Sequence, residues 1–184
     1  MKKTKLIVRD ALLLALLVVS AFIKVSVFTI PFTMQYLVVV IIALVSHKLN
    51  SLIIFSTYLV MGLMGIFVFA EGGGISYLFN PSFGFILGFI VSGFVINLVN
   101  HLVRLKNLYL KYLISSISGL ISLYIVGFCY ALMIKNIVLG ENVKIVNLLE
   151  IMILPFILID ILKCFLTSYI AFHLKKINNG SNIF

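Results

Sequence analysis

The sequence predicts an all-α membrane protein with six transmembrane helices, and three observations carry that prediction. First, 63% of its 184 residues are hydrophobic, only 10% are charged, and the mean hydropathy is +1.27, whereas about a quarter of the residues of a soluble domain are charged. Second, a bilayer core of about 30 Å takes about 20 apolar residues per helix, so the length allows roughly six spans with short joints. That leaves no room for an extramembrane domain, which excludes a soluble catalytic module such as an ATPase. Third, most basic residues sit at the ends of apolar runs, so topology explains the net charge of +9 better than a nucleic-acid or anionic-lipid partner does.

The first span is expected over residues 6–28, with Lys24 near its far end, where a long stem snorkels to the interface. Ala11 and Ala15, four apart, share one helix face and leave a shallow groove. Such a groove admits a close neighbour, either within this chain or in a partner. The alternative for this segment is a signal peptide, Lys2, Lys3, Lys5 and Arg9 preceding an apolar run with a cleavage site at Val19-Ser20-Ala21; the equally apolar remainder of the chain favours a span. A joint over residues 29–33 leads to a short second span over 32–46, where Pro31 suits a first helical turn and Thr33 and Gln35 supply polar groups. The third span is expected over 51–69 and the fourth over 83–102, where Gly84, Gly88 and Ser92 form a small-residue ribbon suited to close helix contact. The fifth is expected over 109–134 and the sixth over 148–174, with Pro155 near its start. No internal repeat, heptad run or inverted-repeat symmetry stands out, so the chain reads as one integral membrane domain over 1–184.

Orientation follows from counting lysine and arginine by side. With the N-terminus inside, ten fall on the cytoplasmic side (Lys2, Lys3, Lys5, Arg9, Lys48, Arg104, Lys106, Lys111, Lys175, Lys176) and three outside (Lys24, Lys135, Lys144), while Lys163 lies within a span. Both termini are therefore expected in the cytoplasm. The stretches 29–35, 71–82 and 140–147 then all open outward.

Asp160 and Lys163 are the sharpest chemical feature. A charge within a span costs at least about 2.5–3.5 kcal/mol and must be paired or hydrated, and three residues apart on a helix these two share a face. They form either an internal ion pair that fixes helix contacts or a binding site. Asp160 accepts hydrogen bonds, Lys163 donates them, and Asn80 and Gln35 do both. Converged in a pocket walled by Phe and Tyr, they suit a small neutral-to-anionic molecule with an amide or ureido group and an apolar body. They suit a metal poorly, since His47, His101 and His173 all fall at expected cytoplasmic ends. Cys129 and Cys164 lack ligand or disulfide spacing and read as small packing residues. The triple glycine Gly72, Gly73, Gly74, beside Asn80-Pro81 in a loop whose one charge is Glu71, reads as backbone brought close to a ligand in preference to a flexible turn.

Several runs taken together resemble a known family: Pro31 to Gln35, Tyr58 to Ala70, Gly72 to Gly74, Asn80 to Phe85, and Pro155-Phe156 followed by Asp160 and Lys163. They are similar, in order and over nearly the whole chain, to the BioY family, the biotin-capturing subunits of energy-coupling-factor transporters. The resemblance implies a six-helix protein that binds biotin from outside in a pocket closed by its outward loops, without enzymatic turnover and without a cofactor of its own. It implies association with a transmembrane coupling subunit and two cytoplasmic ATPases that use ATP, and transport through toppling of the capture subunit in the plasma membrane of a prokaryote. Carried over, Asp160, Lys163 and Asn80 match biotin-contacting positions, with Gln35, Tyr58 and Gly72 to Gly74 as further candidates. Ala11 and Ala15 match the surface that docks the coupling subunit. Two departures are Ser82, where the family usually has threonine after proline, and Phe67, where it has proline; no basic residue precedes Arg104 in the fourth span, so the partner of biotin's carboxylate falls to Lys163, Lys24 or backbone N–H groups. Rival readings are a capture subunit for another vitamin, an ion-coupled transporter using Asp160, and an intramembrane enzyme, the last disfavoured because no nucleophile sits beside a base.

Overall fold

The structure is a computed structural model that describes residues 2–27 and 30–181. Its helices are α1 (Lys2–Phe22), α2 (Gln35–Val45), α3 (Lys48–Leu63), α4 (Phe83–Leu102), α5 (Leu108–Met133), α6 (Ile145–Met152) and α7 (Leu154–Ser181). Among the described residues, three helical stretches are long and apolar enough to cross a membrane: Phe83–Leu102, Leu108–Val138 and Leu154–Lys176. The second joins α5 to a π-helical turn over Ile134–Val138. The helices α2 and α3 are apolar but shorter, at 11 and 16 residues.

Glycines line the most extensive helix contact, between α4 and α5. A Cβ on Gly84 would stand 2.5 Å from Tyr130 Cβ and 3.0 Å from the Gly127 carbonyl oxygen, and one on Gly88 would stand 2.8 Å from Leu123 Cδ1. The expected ribbon of Gly84, Gly88 and Ser92 lies at this contact, with Ser92 fully buried. Gly84→Ala is therefore expected to lower stability by about 1–3 kcal/mol through overpacking, seen as a lower melting temperature in detergent. Unchanged melting would mean the two backbones are not this close. At the other end of α5, Asn107 caps the helix, its Oδ1 accepting from the Tyr109 and Leu110 amides at 3.0 and 3.3 Å.

Three expected spans end elsewhere. The first helix stops at Phe22 instead of continuing to Phe28, which lies outside the described residues, as does Thr29. The chain turns into an antiparallel hairpin of β1 (Lys24–Val27) and β2 (Ile30–Thr33), with Lys24 opposite Thr33 and Ser26 opposite Pro31. The β-branched Val25, Val27 and Ile30 favour extended backbone, and proline is tolerated on an edge strand; Pro31 is thus in β2 and not in the first turn of α2. Lys24 does not snorkel from a helix end; its ammonium donates to the Ala70 carbonyl.

The third helix ends at Leu63, not at Phe69, because Gly65 takes a positive φ of 93°. Gly65 N–H bonds to the Gly62 carbonyl at 3.1 Å and Ile66 N–H to the Met61 carbonyl at 3.2 Å, the paired closure of a Schellman cap. The last span is divided at Ile153 into α6 and α7. Pro155 has no N–H and its ring collides with a carbonyl one turn back, so one continuous helix cannot pass through it. Of the cysteines, both within helices, Cys164 is buried and Cys129 is exposed.

The core runs through α2, α4, α5 and α7, where Val39, Val40, Ile42, Ile96 and Cys164 are fully buried. On α1, Leu17, Ser20 and Ala21 are buried while Ala11 and Ala15 are exposed. Asp10 Oδ2 accepts from the Asn50 amide and so ties α1 to the start of α3.

Candidate functional site

The pair expected from the sequence stands on α7, one turn beyond Pro155. Lys163 Nζ donates to Asp160 Oδ1 at 2.8 Å, with Lys163 5% and Asp160 7% exposed. Burial of this degree demands further partners, and they come from other elements. The Tyr124 hydroxyl on α5 donates to Asp160 Oδ2 at 2.6 Å, and Lys163 also donates to the Thr33 carbonyl at the end of β2 at 2.7 Å. The pair thereby joins α7, α5 and the hairpin.

Above it lies a half-open cavity, about 660 Å³ when the open space at its mouth is counted. Asp160, Lys163, Gln35, Thr33, Tyr77 and Ser82 supply its polar lining; Phe85, Phe89, Leu123, Met152 and Phe156 are prominent in its apolar wall. An aromatic row behind the mouth holds the loop in place. Phe69 lies 5.4 Å from Tyr58 and 4.9 Å from Tyr77, centroid to centroid. Burial pushes the Tyr77 phenol above its ordinary range, so it remains a neutral donor at physiological pH.

Of the residues singled out in the sequence, Asp160, Lys163 and Gln35 meet at the cavity. Two others stand one hydrogen bond behind it. Tyr58 accepts from Gln35 Nε2 at 2.6 Å and donates to the Val68 carbonyl at 2.9 Å. Asn80 Oδ1 accepts from the Ser82 hydroxyl at 2.8 Å and the Ser82 amide at 2.9 Å, and its Nδ2 donates to Glu71 at 3.2 Å. Since Ser82 is already a donor there, Tyr77 donates to Ser82 across their 3.2 Å contact. Gly72, Gly73 and Gly74 are not in the lining. They fold back on the end of α3: Gly74 N–H bonds to the Gly62 carbonyl at 2.7 Å, and a Cβ on Gly73 would stand 2.5 Å from the Ile66 carbonyl oxygen. Their close approach is to backbone, and through it they hold Ala70 and Tyr77 at the mouth. Ala11 and Ala15 lie on the exposed face of α1 and are not among the lining residues.

Tyr124 and Tyr77 were not singled out from the sequence, and Phe85 and Phe156 entered only within the runs that carry the resemblance. Tyr124 carried the clearest signal, since a phenol within an apolar span needs a partner for its hydroxyl. No group of three or more potential metal ligands occurs among the described residues.

Residues 1–179 match the BioY family. This chain belongs to that family. A BioY relative, the biotin transporter BioY of Thermotoga maritima, is 31% identical over 172 residues, covering 93% of this chain and 96% of that protein. The biotin transporter BioY2 of Lactococcus lactis is 28% identical over 185 aligned positions, covering 99% of this chain and 97% of that one. The BioY fold assignment has a solved counterpart in the crystal structure of the S-component for biotin from an ECF-type ABC transporter. That structure aligns with a TM-score of 0.79 at 22% identity over 95% of this chain and 93% of the other. BioY proteins are transporter components and not enzymes.

Proposed function

We propose that this chain is the biotin-specific substrate-capture subunit of an energy-coupling-factor uptake transporter. The observation that carries the reading is the Asp160–Lys163 pair at the polar end of an aromatic cavity. Biotin's ureido group has two N–H donors and a carbonyl acceptor. The Asp160 carboxylate receives a ureido N–H, and the Lys163 ammonium is offered to the carbonyl. Phe85, Phe89 and Phe156 enclose the thiophane ring and the valeryl chain. Gln35 and Ser82 orient the ligand from the mouth side, held by Tyr58 and Asn80 behind them.

In this reading residues 1–184 form one integral domain with six crossings in the plasma membrane of a prokaryote, both termini cytoplasmic and the cavity facing outward under the hairpin and the loop from Met64 to Ser82. The ten-to-three division of basic residues supports that orientation. The exposed Ala11 and Ala15 supply the docking face for a coupling subunit, which passes on the work of two cytoplasmic ATPases; ATP is used there and not in this chain.

Calorimetric titration of the detergent-purified protein with biotin, riboflavin and thiamine tests the proposal. Saturable one-to-one binding of biotin alone is expected, unchanged by sodium and by moderate changes of pH. Absence of biotin binding would remove the reading, and binding that requires sodium would favour an ion-coupled carrier.

A further inference from the structure

We propose that Lys24 is the residue that recognises the carboxylate of the ligand, and that its bond to Ala70 is the resting position of that same ammonium. The inference rests on the biotin reading and extends it to the other end of the molecule.

Lys24 opens β1 directly opposite Thr33, and residues directly opposite on antiparallel strands project side by side from the same face. Thr33 lines the cavity and gives its carbonyl to Lys163. The Lys24 ammonium reaches across to the Ala70 carbonyl, and Ala70 is also in the lining. Two of the three residues involved are thus cavity wall, which puts the Lys24 ammonium at the rim where the hairpin meets the loop after α3.

Charge selects the ligand class. Among the described residues, Asp160 and Lys163 are the charged members of the lining, and they neutralise each other. The ion pairs of the described residues are Arg9–Asp10, Lys135–Glu141 and Lys163–Asp160, and Lys24 is in none of them. The carboxylate next to Ala70 in sequence, Glu71, receives the Asn80 amide. The rim therefore holds in Lys24 an ammonium satisfied by a neutral carbonyl and, among the described residues, paired with no carboxylate, while Glu71 close by is turned to Asn80. A monoanion whose polar head sits on the Asp160–Lys163 pair and whose carboxylate ends a flexible apolar chain meets both ends. A carboxylate is a stronger acceptor for an ammonium than an amide carbonyl, so the ligand displaces Ala70 from Lys24 and leaves the hairpin tied to the ligand itself.

The test compares biotin with biotinamide, in which a neutral carboxamide replaces the carboxylate, by calorimetry on the wild type, Lys24→Met and Lys24→Arg. The wild type is expected to prefer biotin by roughly 10- to 100-fold, the range of a hydrogen bond to a charged group. Lys24→Met should lose most of that preference by weakening biotin while leaving biotinamide within about twofold, and Lys24→Arg should keep it, since arginine retains the charge. Equal weakening of both ligands by Lys24→Met would reduce Lys24 to a structural latch and overturn the proposal, as would no weakening of either. A wild type that binds biotin and biotinamide equally removes this inference alone. A wild type that binds neither removes the biotin reading and this inference together.

Discussion

Asp160→Ala is expected to weaken biotin binding by about 2–5 kcal/mol, the cost of leaving one member of a buried charged pair without the other. Two effects combine. The ligand loses the carboxylate that takes its ureido N–H, and Lys163, at 5% exposure, keeps only the neutral Thr33 carbonyl of the two partners at 2.7 and 2.8 Å. The Tyr124 hydroxyl loses its 2.6 Å acceptor as well. At about 1.4 kcal/mol per tenfold in affinity, calorimetry resolves the change easily. Asp160→Asn separates the terms, because it preserves shape and one acceptor while removing the charge, and it should fall between the wild type and the alanine variant. A folded, monodisperse Asp160→Ala protein with wild-type affinity would show that biotin binds elsewhere.

Ala11→Trp is expected to abolish uptake while leaving binding intact. Ala11 and Ala15 lie on the exposed side of α1, away from Leu17, Ser20 and Ala21, which are the buried positions on that helix. An indole there leaves the fold and the cavity untouched but prevents another helix from approaching closely along the groove. Uptake of labelled biotin in cells producing the whole transporter, set beside calorimetry on the isolated variant, separates the two steps. Normal uptake by Ala11→Trp would mean that the coupling subunit docks on a different face.

The long helices were legible in the sequence because α4, α5 and most of α7 are long apolar runs, with Pro155 near the start of the last. The hairpin was not. Residues 23–33 are as apolar as the helix before them, and hydropathy has no means of registering that Val25, Val27 and Ile30 prefer a strand. Nor did the end of α3 show in hydropathy, since Ile66 to Phe69 prolong the apolar run; Gly65 was the visible stop signal, and it needed to be weighed as a cap. Within the site, Asp160 and Lys163 stood out because charge is costly in a span and local spacing alone pairs them. Tyr124 is 36 residues from Asp160, and Thr33 is 130 from Lys163. Contacts across such separations depend on how helices assemble, which spacing cannot express. The family resemblance reached further than the residue-by-residue reading because it used order across the whole chain.

Beyond the Asp160–Lys163 pair, the body of the protein is closed. One turn further along α7 stand Cys164, Thr167 and Ser168, each fully buried, with Ser168 against Ser116 of α5, while Ser92 and Ile96 of α4 are buried against Gly119 of α5. The hydroxyls of Ser116 and Ser168 lie 3.2 Å apart, and the glycine seam between α4 and α5 holds backbone against side chain. In the proposed reading, a solute seated on the pair has the open mouth on one side and, among the described residues, these buried side chains on the other. That buried floor lies across the direct route through the helices, in keeping with the expectation that the capture subunit topples to release its cargo.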